Sequence, residues 1–306
     1  KAVLSGSLAI DQIMSFEGSF VDLIQPDKLH VLSISPLVQK MTRTEGGVAG
    51  NIAYSLALLG EKPFLLASAG SDATKYLAKL EKLGVDLTYL HLSQLATATF
   101  SVLTDSHDCQ VGGFYPGAMS DASSLSLKPF KDEEVLVVVS AHDPKQMTKQ
   151  VLECQKYQKT LLYDPGQQSL ILDVKALQQA LDAASILIVN DYEMGLLCQK
   201  LACTQTQIIQ KLALCIITLG KEGAAFYQKA DHYQQRLIKG VTLEKVLDPT
   251  GAGDAFRAGF IYAYLHHFST ADALHLANVV ASFAVEAYGT QNHQLKWPLI
   301  KKRYEE

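Results

Sequence analysis

Val246-Leu247-Asp248-Pro249-Thr250-Gly251-Ala252-Gly253-Asp254-Ala255-Phe256-Arg257-Ala258-Gly259-Phe260 reads as a strand end, a glycine turn and the start of a helix. Gly251 and Gly253 let the backbone approach a ligand and take angles that a Cβ resists, and the run from Ala255-Phe256 to His266 has helical apolar spacing. Free N–H groups at such a helix start form an anion site. Asp254 is the odd residue, because a carboxylate there repels a phosphate unless it has a task. Accepting a hydroxyl proton while neighbouring N–H groups hold a phosphoryl group is such a task. Taken alone, the same residues also read as a capping acid beside a turn.

Outward from this stretch, short apolar runs alternate with helical patterns. The runs are Lys62–Ser68, Val135–Ala141, Thr160–Tyr163, Ile186–Val189 and Cys215–Thr218, with helical segments at Gly50–Leu59, Thr74–Lys82, Lys145–Tyr157 and Val174–Leu181. Continuous apolar runs between helices predict an α/β fold with a doubly wound, mostly parallel sheet covered on both faces. Two regions break the rhythm. Ile13–Phe16 with Leu29–Val38, and Ala96–Leu103 with Gln110–Tyr115 across the turn 105–108, predict antiparallel strands of a small β-sheet lid. The expected organisation is one domain over 1–306, with the lid inserted from about 13–38 and 96–116.

The 306 residues suffice for a sizeable core, and 48% hydrophobic with 19% charged residues is ordinary for a globular protein. A net charge of −4, with no basic run longer than Lys301-Lys302-Arg303, disfavours nucleic-acid partners. The cysteines 109, 154, 198, 203 and 215 are odd in number, lack a Cys-x-x-Cys pair and lie mostly in apolar runs, which implies reduced core residues. The histidines show no His-x-x-x-His spacing. The chain begins in a strand-like segment, Ala2–Gly6, without a basic leader, and no apolar run reaches bilayer length, so the expectation is a cytoplasmic protein with no membrane partner. Walker and Gly-x-Gly-x-x-Gly loops do not occur, so phosphate binding rests on the Gly251–Gly253 turn.

Asp248-Pro249-Thr250-Gly251-Ala252-Gly253-Asp254-Ala255-Phe256 resembles the C-terminal signature of the ribokinase-like (PfkB) family of carbohydrate and nucleoside kinases. Pro249 departs from the commonest family string, which has Thr there. The resemblance implies Asp254 as the general base and the N–H groups of Gly251, Ala252 and Gly253 as the anion hole. Gly6-Ser7-Leu8-Ala9-Ile10-Asp11 resembles the family's N-terminal motif, whose acid binds substrate hydroxyls; a carboxylate has lone pairs for two adjacent ribose hydroxyls. Gly46-Gly47-Val48-Ala49-Gly50-Asn51 resembles the sugar-binding Gly-Gly-x-x-x-Asn motif, and Asn190-Asp191-Tyr192-Glu193 the Asn-x-x-Glu motif, which places Glu193 near Mg²⁺ through water. Thr218-Leu219-Gly220-Lys221-Glu222-Gly223 resembles the turn at the nucleotide, and Asn278 joins Asn190, Thr218, Gly220 and Gly223 on that side by the same resemblance. Read without the family, most of these are turns and helix caps.

Within the family, Ile10–Ile13, Phe16–Phe20, Pro26–His30 and Phe114–Met119 look more like adenosine and broad-specificity nucleoside kinases of prokaryotes than like ribokinase. Phe114 and Tyr115 are candidates for stacking on a base, and Gln167 for a base or ribose contact. The reading is an ATP- and Mg²⁺-dependent kinase acting on the 5′-hydroxyl of a nucleoside, adenosine or a wider purine set, as a monomer or a lid-mediated homodimer. A K⁺ requirement stays open. The alternatives are a sugar kinase of the same family and a nucleoside-binding protein without catalysis.

Overall fold

The protein is described here by a computed structural model covering residues 1–24, 26–107 and 109–306. Gln25, inside the expected lid range, and Asp108, in the expected 105–108 turn, lie outside the described residues. Along the chain the strands are β1 (Ala2–Ser5), β2 (Ala9–Ser15), β3 (Lys40–Gly46), β4 (Phe64–Leu66), β5 (Ser68–Gly70), β6 (His91–Ser93) and β7 (Ala98–Thr104). They continue as β8 (Gln110–Tyr115), β9 (Leu136–Ser140), β10 (Thr160–Asp164), β11 (Ile186–Asn190), β12 (Leu214–Thr218), β13 (Ala224–Gln228) and β14 (Arg236–Ile238).

The main sheet has the order β14-β13-β12-β11-β10-β9-β1-β4. From β4 to β12 all neighbours run parallel, and β13 and β14 complete it antiparallel. Period-two alternation splits each central strand between two cores. Leu4, Val138, Leu162, Ile188 and Ile216 face the core shared with helices Val48–Leu58, Ala252–Leu265 and Thr270–Val285. Val3, Val137, Leu161, Leu187 and Cys215 face helices Pro144–Lys156, Val174–Ala183 and Asp191–Leu201. Burial on both faces is why these strands read as continuous apolar runs. The chain moves from β1 to β4 on one side and from β9 to β12 on the other, so the strand order reverses between β1 and β9. Ligands bind beyond the carboxyl ends of strands at such a point.

A second sheet of order β3-β2-β7-β8 stands at that end. It departs from the expected lid in two ways. Leu29–Val38 forms no strand; the partner of β2 is the more polar Lys40–Gly46, an edge strand whose exposed positions need no apolar side chains. Moreover, β2 and β7 pair parallel, because both leave the body at the same end, where Ala9 and Ala98 are buried and paired. Val246–Asp248 is likewise not a strand. Its backbone is tied instead to the end of the neighbouring helix, with Leu247 N–H donating to Val285 O at 2.8 Å.

Helices Ala252–Leu265 and Thr270–Val285 approach closely at Gly259, where a Cβ would stand 2.8 Å from Cα of Ala277. Gly259→Val is therefore expected to destabilise the protein by about 1–3 kcal/mol through overpacking. Urea unfolding should show a lower midpoint at an unchanged m value; an unchanged midpoint would contradict the close approach.

Candidate active site

Three consecutive parallel strands end in polar residues, Asp164 on β10, Asn190 on β11 and Thr218 on β12, at the carboxyl edge of the sheet. The glycine turn meets this edge. Gly251 is the N-cap of helix Ala252–Leu265 with φ of 80°, left-handed backbone that favours glycine, and Asp254 lies in the first helical turn. Asp248 braces the turn by accepting from Thr250 N–H and Gly289 N–H, each at 2.9 Å. Burial pushes the Asp248 carboxyl up, but these bonds hold it below the usual range. Of the three amides assigned to the anion hole, Ala252 N–H already donates to Pro249 O at 3.2 Å, whereas those of Gly251 and Gly253 have no backbone acceptor among the described residues. The Asp254 amide has none either, and it joins the candidate donors.

The Asp254 carboxylate accepts from Asn51 Nδ2 at 2.8 Å. Asn51 Oδ1 accepts from Gln291 Nε2 at 2.9 Å, Gln291 also donates to Tyr76 Oη at 2.6 Å, and Tyr76 Oη donates to Gly46 O at 2.9 Å. Gly46 touches Asp11: a Cβ on Gly46 would fall 2.5 Å from Asp11 Oδ2. A hydrogen-bonded chain thus runs from Asp254 to the Gly46 carbonyl, and Gly46 packs against Asp11. Gly47 turns the chain from β3 into helix Val48–Leu58 with φ of 88°, and a Cβ there would lie 2.6 Å from Ser7 O. Burial is the main reason the Asp11 carboxyl is raised to about 6, with the Asp254 charge second. Asp254 is also raised, chiefly by burial, against the opposing pull of Arg257 and the Asn51 hydrogen bond.

The register of the lid decides which side chains share the Asp11 face. Asp11 pairs with Thr44 and with Phe100, and Phe100 pairs with Phe114, so these four stand on one face. Tyr115, next to Phe114 along β8, points to the other face. The second aromatic beside Asp11 is therefore Phe100 and not Tyr115. Its ring lies over Gly112, where a Cβ would come within 3.1 Å of it. Gln167 is exposed in the turn Gly166–Leu170 after β10.

On the other side of the glycine turn a cavity of about 810 Å³ is lined by Thr218, Gly220, Gly223, Ala252, Gly253 and Asn278. This is ample for a nucleotide-sized ligand. Asn278 donates to Lys239 O at 2.9 Å and so also holds the end of β14. Asn190 and Glu193 form a reciprocal capping box, Asn190 N–H donating to Glu193 Oε2 at 2.9 Å and Glu193 N–H to Asn190 Oδ1 at 2.7 Å. The helix-cap reading of these two residues is thus realised, and Glu193 keeps its second oxygen. Among the described residues no helix is long and apolar enough to cross a membrane, and no group of three or more His, Cys, Asp or Glu side chains could hold a metal ion.

Gln291 and Tyr76 belong to no motif; they sit in unrelated segments and join the chain of bonds from Asn51 only in the fold. Arg257 and Asp164 had weak signals: a cation on the buried side of an apolar helix and an acid closing an apolar run.

A sequence model of the pfkB carbohydrate kinases matches residues 10–297. The chain belongs to this family. Members are phosphotransferases that act on a hydroxyl acceptor, which accords with an acid beside an anion turn. The chain is 30% identical over 289 residues to the nucleoside kinase of Methanothermobacter thermautotrophicus, covering 90% of this chain and 89% of that protein. Its structure resembles the ligand-free nucleoside kinase of Burkholderia thailandensis with a TM-score of 0.88 at 33% identity, covering 99% of this chain and 100% of the other. The same Burkholderia enzyme in complex with ADP–inosine gives a TM-score of 0.85 at 33% identity, over 100% of this chain and 95% of the other.

Asp11 provides a test that needs no substrate. Its folded-state pKa of about 6 lies above the ordinary 3.8, so the folded protein holds this proton more tightly than the unfolded chain. Stability is therefore lost as pH rises from about 4 to about 6, and ionised Asp11 costs the fold above that window. Asp11→Asn should raise stability at pH 7.5 by on the order of 1 kcal/mol, the gain vanishing below about pH 4. Thermal melts of both proteins across this range check it. A variant less stable than wild type at pH 7.5 would contradict it.

Proposed function

We propose that the protein transfers the terminal phosphoryl group of ATP to the 5′-hydroxyl of a nucleoside, with purine nucleosides including adenosine and inosine as the expected acceptors. The observation that carries this reading is the position of Asp254. Its turn lines the cavity through Ala252 and Gly253, and its carboxylate is bonded to Asn51 in the polar chain that ends at Gly46, which packs against Asp11. A proton acceptor between a nucleotide-sized cavity and a hydroxyl-binding acid is what phosphoryl transfer to an alcohol requires.

In this reading Asp11 binds the ribose diol, and Asn51 and the Gly46-Gly47 backbone complete the sugar site. Phe100 and Phe114, both partly exposed on the Asp11 face, offer flat apolar surface to a base. This aromatic face favours a nucleoside over a free sugar, as does the inosine bound by the Burkholderia relative. Burial raises Asp254 toward the range in which a carboxylate accepts a proton effectively, while Asn51 orients it. The free amides of Gly251, Gly253 and Asp254 stabilise negative charge on the transferring group without reorganising. The lid excludes water, which would otherwise take the phosphoryl group.

Mg²⁺, bound with the nucleotide, would neutralise phosphate charge. Mg²⁺ shared with phosphates keeps most of its waters and needs only one or two carboxylates, and the free oxygen of Glu193 fits that task.

Steady-state kinetics with ATP and Mg²⁺ on a panel of adenosine, inosine, guanosine, cytidine, ribose, fructose and fructose 6-phosphate tests the reading. At least one nucleoside should have the highest kcat/KM. A free sugar or sugar phosphate equalling or exceeding every nucleoside would overturn the nucleoside assignment. Calorimetric nucleoside binding without turnover of any acceptor would point to a binding protein.

A further inference from the structure

Helix Ala252–Leu265 is apolar along its buried side, with Ala255, Phe256, Ala258, Phe260 and Ile261 all in the core, yet Arg257 stands in that series and is only 8% exposed. A guanidinium in such a place must be partnered. Its partner is Asp164 at the end of β10, 1% exposed, with Nη2–Oδ1 at 2.6 Å and Nε–Oδ2 at 2.5 Å. Stability alone is a poor account of this pair, because well-packed apolar side chains usually serve a core as well or better than a buried ion pair.

Two further observations aim the guanidinium at the reacting end of the helix. A Cβ on Gly253 would fall 2.7 Å from Arg257 Nη1, so the guanidinium packs directly against the anion turn in space that only glycine leaves. The charge of Arg257 is also coupled to those of Asp164, Asp254 and Glu193 together. Asp254 is faced by Glu193 from helix Asp191–Leu201, by Asp11 from β2, by Asp164 from β10, by the Tyr76 hydroxyl from helix Thr74–Leu83, and by Arg257 from its own helix. Four of these five neighbours oppose or do not aid a second negative charge. Arg257 aids it.

We propose that Arg257, anchored by Asp164, is a positioning residue: it props the Gly253 turn and sets its positive charge beside Asp254, the group that accepts the hydroxyl proton. The proposal rests on the phosphotransfer reading above, and it gives a part to a residue that reading does not use. Asp164 has a divided part, since it fixes the guanidinium and at the same time takes up part of its charge.

The two halves of the pair therefore make predictions of opposite sign. The experiment is the pH profile of kcat at saturating substrates for wild type, Arg257→Met, Arg257→Lys and Asp164→Asn, with ADP affinity by calorimetry. Arg257→Met should lower kcat at least about tenfold near neutral pH and move the acid limb up by about one pH unit, since Asp254 loses its cation. Arg257→Lys keeps the charge without the fork, so its limb should stay near that of wild type although kcat falls. Asp164→Asn should move the limb down, because the guanidinium then acts on one carboxylate fewer. A purely structural ion pair would lower the melting temperature and leave every limb where it was. Coincident limbs, or shifts of the same sign in Arg257→Met and Asp164→Asn, overturn the proposal. If Arg257→Met does not fold, the downward shift in Asp164→Asn against an unmoved limb in Arg257→Lys decides it. The profile is taken on whichever hydroxyl acceptor the wild type phosphorylates, so a wrong nucleoside assignment leaves this test intact. A wild type inactive on every acceptor would remove both claims.

Discussion

A single amide-to-carboxylate hydrogen bond, Asn51 Nδ2 to Asp254 Oδ2 at 2.8 Å, joins the two parts of the site. Asp254 occupies a helix start whose free N–H groups attract anions. In the proposed reading the side chain there must be fixed, so that it faces a hydroxyl instead of folding back as a cap. Asn51 does this from the helix Val48–Leu58, which follows directly from lid strand β3. Gln291 and Tyr76 pass the constraint on to Gly46, beside Asp11. Every member of the chain is buried or half-buried, where an unpaired polar group is costly, so the members hold one another in place.

The electrostatics of the free protein carry a cost that a substrate can relieve. Asp11, Asp164 and Asp254 are all raised by burial, so several acids share a small volume poor in water. Hydroxyl donors from a sugar would satisfy Asp11, and cations accompanying a nucleotide would offset the rest. Destabilisation of this kind is common where a site is arranged for a ligand and not for the fold alone. It also explains why the sheet places Asp164, Asn190 and Thr218 at its carboxyl edge, where strands end and ligands can reach them.

Much of this was legible in the chain, for identifiable reasons. Strands buried on both faces announce themselves as unbroken apolar runs, and the central strands begin and end within a residue or two of the expected positions. The glycine turn and the acid after it were legible because the nine residues Asp248–Phe256 together resemble a family signature, whereas alone they also read as a turn and a capping acid. The lid was harder. Leu29–Val38 looks like a strand because it is apolar, whereas Leu29, Val31, Leu32 and Leu37 are exposed, and the strand is the polar edge Lys40–Gly46, whose pairing with β2 no local pattern records. Phe100, and not Tyr115, shares the Asp11 face, which no local pattern shows because face assignment depends on register, and register is set by partners distant in sequence. Gln291, Tyr76 and the Arg257–Asp164 pair are tertiary facts: each joins segments far apart along the chain.

The central claim is that Asp254 acts as a proton acceptor and not as a helix cap. The most direct test is Asp254→Asn, which keeps the size of the side chain but cannot take a proton at neutral pH. Steady-state kcat should fall by about 10²–10⁴-fold, the lower end being compatible with a loose phosphoryl transition state, while calorimetric affinities for acceptor and nucleotide and the thermal melt stay near those of wild type. A kcat within a few-fold of wild type in a folded variant would contradict the claim and leave Asp254 as a cap.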